Sequence, residues 1–355
     1  MAIDFHRLKV SEIIRETPEA VSIVFELPEE LKSVFDYKPG QYLTIKLPDG
    51  NPAERRAYSI SSSPHWDEPI MVTVKKLSEG NLSVHLNEKL KVGDYLDVMP
   101  PIGAFVPDFE TKPNSHYVLY AAGSGITPIF SILKSILKVE EHSKILLLYS
   151  NRTLESIIFH KNLIELQQNY SGRLKIIFGL TQYDNNWQGH KGRFTTLNLT
   201  ALLQKNAPDF REREHFLCGP AGMMRQVLDA LEILAVDKAR IHKESFTAED
   251  VIHQNGAKKP DVEILPRRVK IKLYGETFEI NVEPDDTIVS ALQKEGYMPP
   301  YSCQIGACST CRAKAISGSF YMDICEALTE EEKKNGYILT CRAHPLEDNC
   351  FVDYD

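Results

Sequence analysis

The stretch YSCQIGACSTC places Cys303, Cys308 and Cys311 in one short loop of a chain with seven cysteines, and a fourth, Cys341, follows in GYILTCRAHP. The spacing Cys303-x4-Cys308-x2-Cys311-x29-Cys341 is the ligand pattern of a plant-type [2Fe–2S] cluster. Thiolate and sulfide sulfurs gain electron density on reduction, and backbone N–H groups close by stabilise it. Gly306, Ala307, Ser309 and Thr310 are small enough for the backbone to wrap such a group closely. A structural zinc site is the competing reading, but zinc is commonly held by two closely spaced pairs, which a three-plus-one layout fits poorly. Cys325 and Cys350 lie outside the pattern and are read as ordinary residues.

A second group of residues could hold phosphates. Gly123-Ser124-Gly125-Ile126-Thr127-Pro128 follows the apolar run HYVLYAA and opens a helical pattern. Glycines at such a turn let backbone N–H groups approach a pyrophosphate, and the helix start favours its charge. The next strand ends Tyr149-Ser150-Asn151-Arg152, with no acidic residue for ribose hydroxyls and an arginine for a 2′-phosphate. NADPH is the expected nucleotide, with NADH left possible. Cys218-Gly219-Pro220 ends a later strand, where ligands of parallel sheets bind. Earlier, Arg56-Ala57-Tyr58-Ser59 on a strand and Gly80-Asn81-Leu82-Ser83 at a helix start combine a cation, a ring, hydroxyls and helix-start N–H groups, which suit a flavin and its phosphates.

These residues need three kinds of scaffold. HRLKVSEIIRE, AVSIVFEL, QYLTIKL, RRAYSISS, PIMVTVKKL and DYLDVMP read as strands divided by turns, with one helical stretch, LSVHLNEKL; residues 1–107 are expected to form a small antiparallel β-barrel for a flavin. Residues 108–246 alternate strands (HYVLYAA, KILLLYS, LKIIFGL, HFLCG) with helices (PIFSILKSILKV, AGMMRQVLDALEILAV), the rhythm of an α/β nucleotide domain with a parallel sheet. Met224, Val227, Leu228, Leu231 and Leu234 repeat at helical spacing and are read as a core face. Residues 247–268 show neither period and are read as a linker reaching roughly 25 Å if flexible. From 269 to 355 a hairpin (VKIKLYG, ETFEINVEP) and a helix (TIVSALQKEG) precede the cysteine loop in a smaller α+β domain.

At 355 residues several domains are expected, and 43% hydrophobic with 25% charged residues is ordinary for globular proteins. No apolar run approaches the roughly 18 residues of a membrane span, and MAIDFHRLKV is not a secretory signal. An odd cysteine count, clustered, fits a reducing cytoplasm better than a disulfide framework. Residues 269–355 carry 15 acidic against 8 basic residues, so nearly all of the net charge of −8 lies there. That disfavours nucleic acid and suggests steering toward a basic protein surface.

The last 87 residues resemble plant-type ferredoxins of the β-grasp fold, on the cysteine motif just given. The order R-x-Y-S, G-x-x-S, G-x-G-x-x-P, C-G-P and then Glu244-Ser245-Phe246 resembles the ferredoxin–NADP⁺ reductase family. With the ferredoxin attached, KPGQYLT, RRAYSIS, AAGSGITP, SNRT, CGPAGMM, YSCQIGACSTC and GYILTCRA look like multicomponent oxygenase reductases over nearly the whole chain. The resemblance implies transfer from NADPH through FAD to the cluster and on to an oxygenase component or another one-electron acceptor protein, docked on the acidic ferredoxin domain. It implies that Arg56 holds the FAD pyrophosphate, Tyr58 packs on the flavin, Ser59 bonds near its reactive nitrogen, and Val74 and Lys75 offer main-chain contacts. Gly80, Leu82 and Ser83 would cradle phosphate, Cys218 and Glu244 would flank the nicotinamide, and Phe246 would lie on the ring. The oxygenase could be a di-iron epoxidase, a Rieske oxygenase, a desaturase or a hydroxylase. A zinc-stabilised binding module and a flavin redox sensor are the readings from other classes.

Overall fold

The computed structural model describes residues 5–48, 55–66, 69–78, 80–246, 263–306, 308–325 and 327–355. Of the segment read as a linker, 247–262 lies outside them, and strand β13 already begins at Arg267. The chain divides into two compact units, one of Phe5–Gly50 with Ala57–Glu244, the other of Ser245–Asp355 with short pieces from the first 56 residues.

All six expected strands form, in the first unit save the first two residues of β4: β1 (His6–Thr17), β2 (Ala20–Glu26), β3 (Tyr42–Lys46), β4 (Arg55–Ser59), β5 (Met71–Lys75) and, after helix α1 (Asn81–Glu88), β6 (Tyr95–Ile102). Their order is β4-β3-β6-β1-β2-β5. The outer strands meet where Ile60 bridges Val72 and Ser61 N–H donates to the Met71 carbonyl (2.8 Å), so the sheet curls toward closure and hides its edges. Register shifts in β1 near Glu12 and Thr17 supply the bend. Alternate residues fill the interior, among them Leu8, Val10, Ile23, Leu43, Val72, Val74 and Leu96.

The same unit continues into β7 (Tyr117–Ala122), α2 (Ile126–Val139), β8 (Ile145–Asn151), α3 (His160–Asn169), β9 (Leu174–Leu180), β10 (His190–Lys191), α4 (Thr196–Asn206), β11 (Glu214–Cys218), α5 (Ala221–Ile233) and β12 (Ile241–Glu244). The sheet is parallel, in the order β10-β9-β8-β7-β11-β12. Strand β7 shows why it reads as an unbroken apolar run. Tyr117, Leu119 and Ala121 join the core under α2 and α3, while Val118 and Tyr120 join the core under α4 and α5. Met224, Val227, Leu231 and Leu234 are buried there as expected, with Leu228 packed at the margin.

The second unit contains β13 (Arg267–Leu273), β14 (Glu276–Val282), α6 (Ile288–Lys294), β15 (Arg312–Ser317), β16 (Phe320–Met322), α7 (Glu330–Lys334), β17 (Tyr337–Leu339), β18 (Ala343–Pro345) and β19 (Cys350–Asp353). Its main sheet runs β14-β13-β19-β15-β17, with β13 and β19 parallel and the other pairs antiparallel. Ile288, Ala291 and Leu292 of α6 bury against it. Thr287 caps α6 by accepting from Ser290 N–H, while the Ser290 hydroxyl receives the Thr287 N–H.

Candidate redox and nucleotide sites

The cysteine loop lies between α6 and β15, and Cys341 just beyond β17. The long sequence gap is closed by Thr340, whose N–H (3.2 Å) and hydroxyl (2.7 Å) both donate to the Cys311 carbonyl. That places Cys341 beside Cys311. The thiols associate as two pairs, Cys303 with Cys308 and Cys311 with Cys341, and each pair raises a thiol pKa by mutual hydrogen bonding, then by burial. Among the described residues no three His, Cys, Asp or Glu side chains gather at the spacing of one ion. Two thiols per metal, in neighbouring pairs, is the arrangement two irons require. Ile305 N–H lies 3.5 Å from the Cys303 sulfur, the kind of donor a charged cluster uses. Gly306 has φ +74°, and a Cβ there would meet Ile324 Cγ2 at 2.7 Å, so the loop needs glycine at this point. Cys308, Cys311 and Cys341 are buried and Cys303 is partly exposed. Cys350 donates to the Glu347 carbonyl at 3.1 Å, and Cys325 packs at the edge of the cysteine-containing core.

The nucleotide elements converge at the sheet's topological switch point. The strand order reverses between β7 and β11, and in such sheets ligands bind outside the strand ends beside that reversal. The Gly123–Gly125 turn leaves β7 there, and Cys218-Gly219-Pro220 leaves β11. The two turns touch. A Cβ on Gly125 would stand 2.1 Å from the Cys218 carbonyl oxygen and 2.8 Å from Gly219 N. Both are backbone atoms and cannot step aside. Gly125→Ala is therefore expected to destabilise the unit by about 2 kcal/mol or more, read as a lowered thermal midpoint, with weakened nucleotide binding.

In front of this point opens a cavity of about 810 Å³. Of the sequence-expected residues, Lys75, Gly123, Ser150, Arg152 and Pro220 line it. Gly125, Thr127, Pro128, Cys218 and Gly219 are not in its wall but stand behind it; Cys218 is fully buried, and the Thr127 hydroxyl donates to the Ser124 carbonyl (3.0 Å). Asn151 lines it beside Ser150, and so do Thr181, Gln182, Arg193, Phe194 and Gln226, which no motif signalled. The wall carries three cations, Lys75, Arg152 and Arg193, and no carboxylate.

The flavin residues sit on the barrel. Arg56 is exposed, Ala57 and Tyr58 half-buried, and Ser59 buried at the end of β4. Val74 is sealed inside the barrel, and its carbonyl already accepts from Asn87 Nδ2 at 3.2 Å, which ties α1 to β5. Gly80 is the N-cap of α1, ahead of Asn81 and Leu82. The Ser83 hydroxyl, expected at a phosphate, instead donates to the Gly80 carbonyl and accepts from Leu77 N–H, both at 3.1 Å. It shapes the turn, so a phosphate here would meet the backbone N–H groups of the helix's first turn rather than this hydroxyl. Phe246 is 40% exposed and belongs to the other unit.

Ser59 and Glu244, far apart in sequence, are brought together: the Ser59 hydroxyl bonds the Glu244 carboxyl at the end of β12. Burial pushes this carboxyl up to about 8, against the opposing effect of Ser59. Its Oε2 is sealed and has no hydrogen-bond partner among the described residues. An orphaned, proton-holding oxygen beside a buried hydroxyl fits a ligand that completes the set.

Comparison with known proteins matches three domain families along the chain. The model of the oxidoreductase FAD-binding domain matches residues 7–106, that of the oxidoreductase NAD-binding domain residues 119–229, and that of the 2Fe-2S iron-sulfur cluster binding domain residues 271–346. The chain is 35% identical to the ferredoxin reductase component of 3-ketosteroid-9-alpha-monooxygenase from Rhodococcus rhodochrous, over 98% of this chain and 96% of that protein. It is 33% identical to one of the subunits of 1,2-phenylacetyl-CoA epoxidase from Escherichia coli K12, over 99% and 98%. The structure of phthalate dioxygenase reductase superposes with a TM-score of 0.63 at 23% identity, covering 98% of both chains, and shares the fold. FAD, a nicotinamide nucleotide and a [2Fe–2S] cluster are thus the cofactors, and the zinc-stabilised module is set aside. No described helix is long and apolar enough to cross a membrane.

Proposed function

The chain belongs to the ferredoxin reductase components of oxygenases, electron-transfer proteins working from NAD(P)H through FAD to [2Fe–2S], and on that premise we propose that it takes NADPH and serves a phenylacetyl-CoA epoxidase. The observation that carries the nucleotide choice is the cavity wall with Lys75, Arg152 and Arg193 and without a carboxylate. Such a wall attracts a 2′-phosphate and offers no acidic acceptor for a free ribose diol. The partner reading is supported by 33% identity along nearly the whole length of the epoxidase component.

When bound, the flavin turns the paired electrons of the nicotinamide into single ones, which a cluster can accept. The chain's own residues bind, orient and hold protons. Arg56 and the first-turn N–H groups at Asn81, Leu82 and Ser83, led in by the Gly80 turn, would hold the FAD phosphates, Tyr58 would pack on the ring, and the Ala57, Val74 and Lys75 backbone would offer main-chain contacts. Ser59 orients Glu244, whose buried carboxyl keeps its proton at neutral pH and would offer it to a bound flavin or nicotinamide. Cys218, at the end of β11, would flank the nicotinamide with Glu244, and Phe246, two residues beyond Glu244, would lie on the flavin ring. Gly123, Gly125, Thr127, Pro128, Gly219 and Pro220 shape the pyrophosphate turn, and Ser150 with Arg152 meets the 2′-phosphate. Cys303 with Cys308 would hold one iron and Cys311 with Cys341 the other.

The acidic excess of residues 269–355 supports docking on a basic partner surface. Reconstitution tests both choices. Combined with the oxygenase components of phenylacetyl-CoA epoxidase, the protein should support epoxide formation with NADPH at a kcat/KM at least about tenfold above NADH, and added salt should slow delivery to the partner. Turnover with a steroid monooxygenase instead, the second reading favoured by the 35% identity, would overturn the partner assignment. Equal use of NADH would overturn the nucleotide assignment.

A further inference from the structure

Tyr149 is given no role by any motif, yet it sits at the centre of the cavity's framework. It is the fifth residue of β8, has no solvent exposure, and lies on the α2/α3 side of the sheet, tilted against Phe178 with ring centroids 6.2 Å apart. Its hydroxyl donates to the Gly123 carbonyl at 3.0 Å. The backbone N–H of Ile158 and the Asn151 side-chain amide both lie near the same oxygen and act on its titration. Asn151 Nδ2 completes no hydrogen bond of full geometry among the described residues, so the bond to Gly123 is the one that fixes the hydroxyl. Gly123 and Asn151 line the cavity, as does Ser156, two residues before Ile158. One phenol behind the wall therefore ties the strand that ends at Asn151 to the glycine turn.

Gly123 depends on that tether. It adopts φ +54°, and nothing lies within 4 Å of where its Cβ would be, so packing does not hold it. Hydrogen bonds do: its carbonyl takes the Tyr149 hydroxyl together with the Ile126 N–H at the start of α2. Because the peptide is trans, a carbonyl turned toward Tyr149 turns the Ser124 N–H the opposite way. We propose that Tyr149 is a positioning residue of the nucleotide site, its hydroxyl setting the orientation of the glycine turn and of the wall at Asn151 and Ser156, so that the pyrophosphate and ribose meet preset donors. The inference rests on reading this cavity as the NAD(P)H site. A purely structural need at this position would be met by the ring alone, since its surroundings are the apolar core formed with Leu147, Ile157 and Phe178.

Tyr149→Phe keeps the ring and removes the hydroxyl. Calorimetry with NADP⁺ should show Kd weakened about fivefold or more, and the NADPH KM should rise in step while kcat stays within about twofold. An unchanged Kd in a folded Tyr149→Phe protein overturns the proposal. Should that variant lose its fold, amide exchange in the wild-type protein decides. Protection of Ser124 and Ile158 together on adding NADP⁺ supports the tether, and protection of Ser124 alone overturns it. Arg193→Ala separates the two levels of the argument, because Arg193 lines the cavity without touching the tether. If it weakens NADP⁺ while Tyr149→Phe does not, only the tether fails. If neither changes Kd, the cavity is not the nucleotide site.

Discussion

Replacing Cys308 by serine is expected to leave NADPH-driven bleaching of the flavin within about twofold of wild type and to cut delivery to a one-electron acceptor protein roughly a hundredfold or more. Cys308 is buried and pairs with Cys303, and in the proposed ligand set its sulfur would serve one iron of the cluster. A serine oxygen is a harder, more weakly binding ligand for such a site, and loss of one ligand exposes an iron that three thiolates cannot shield. The effect belongs to one unit: apart from Arg56 and Phe246, the residues proposed for flavin and nucleotide occupy the other, where the barrel and parallel sheet carry their own cores. The measurement is anaerobic spectroscopy of flavin and cluster bands after NADPH addition, with iron content and cytochrome c reduction followed in parallel. Transfer at the wild-type rate in Cys308→Ser would remove this loop from the electron path.

Glu244→Gln is expected to slow NADPH-driven flavin bleaching on the order of a hundredfold and to abolish an alkaline limb near pH 8 in its rate profile. Glutamine keeps the size and accepts the Ser59 hydrogen bond but has no proton to exchange. The same substitution should alter stability in a defined direction. Burial holds the folded carboxyl at about 8, whereas the unfolded chain titrates near 4.5. Below the lower value both states are protonated and the group imposes no penalty. As pH rises toward the upper value the unfolded state sheds its proton first and is favoured, so stability falls through this window and levels off above it. The thermal midpoint of Glu244→Gln relative to wild type should therefore climb between those two pH values. A flat difference would show that the carboxyl is ionised in the folded protein.

Much of the fold was legible because its signals are local. All six barrel strands alternate or cluster β-branched residues, and the runs HYVLYAA and KILLLYS could be so apolar only if helices cover both faces of their sheet. Helices α3 and α4 went unread, since few of their residues are buried: Leu163 and Leu166 in one, Leu199 and Leu203 in the other. The two-residue β10 and the four-residue β12 are too short to show a period. Ser83 shows what a motif leaves open: the sequence places it at a helix start, and the structure adds that its hydroxyl closes the turn that precedes the helix.

By itself the sequence determined what each segment can carry: four thiols at cluster spacing, glycines at a strand-to-helix turn, an arginine where an acid would select NADH, and an acidic final domain. Those properties depend on residue type and short spacing, which the chain displays directly. Only the tertiary structure decided which distant residues share a wall. Strand order places β7 beside β11, bringing Gly125 against Cys218, while packing between elements of different sheets brings Ser59 to Glu244 and loops and helices set Arg193 and Gln226 around one cavity. Loops at strand ends have no periodicity to announce them, and their adjacency follows from how sheets pair and pack over distances the local pattern does not encode.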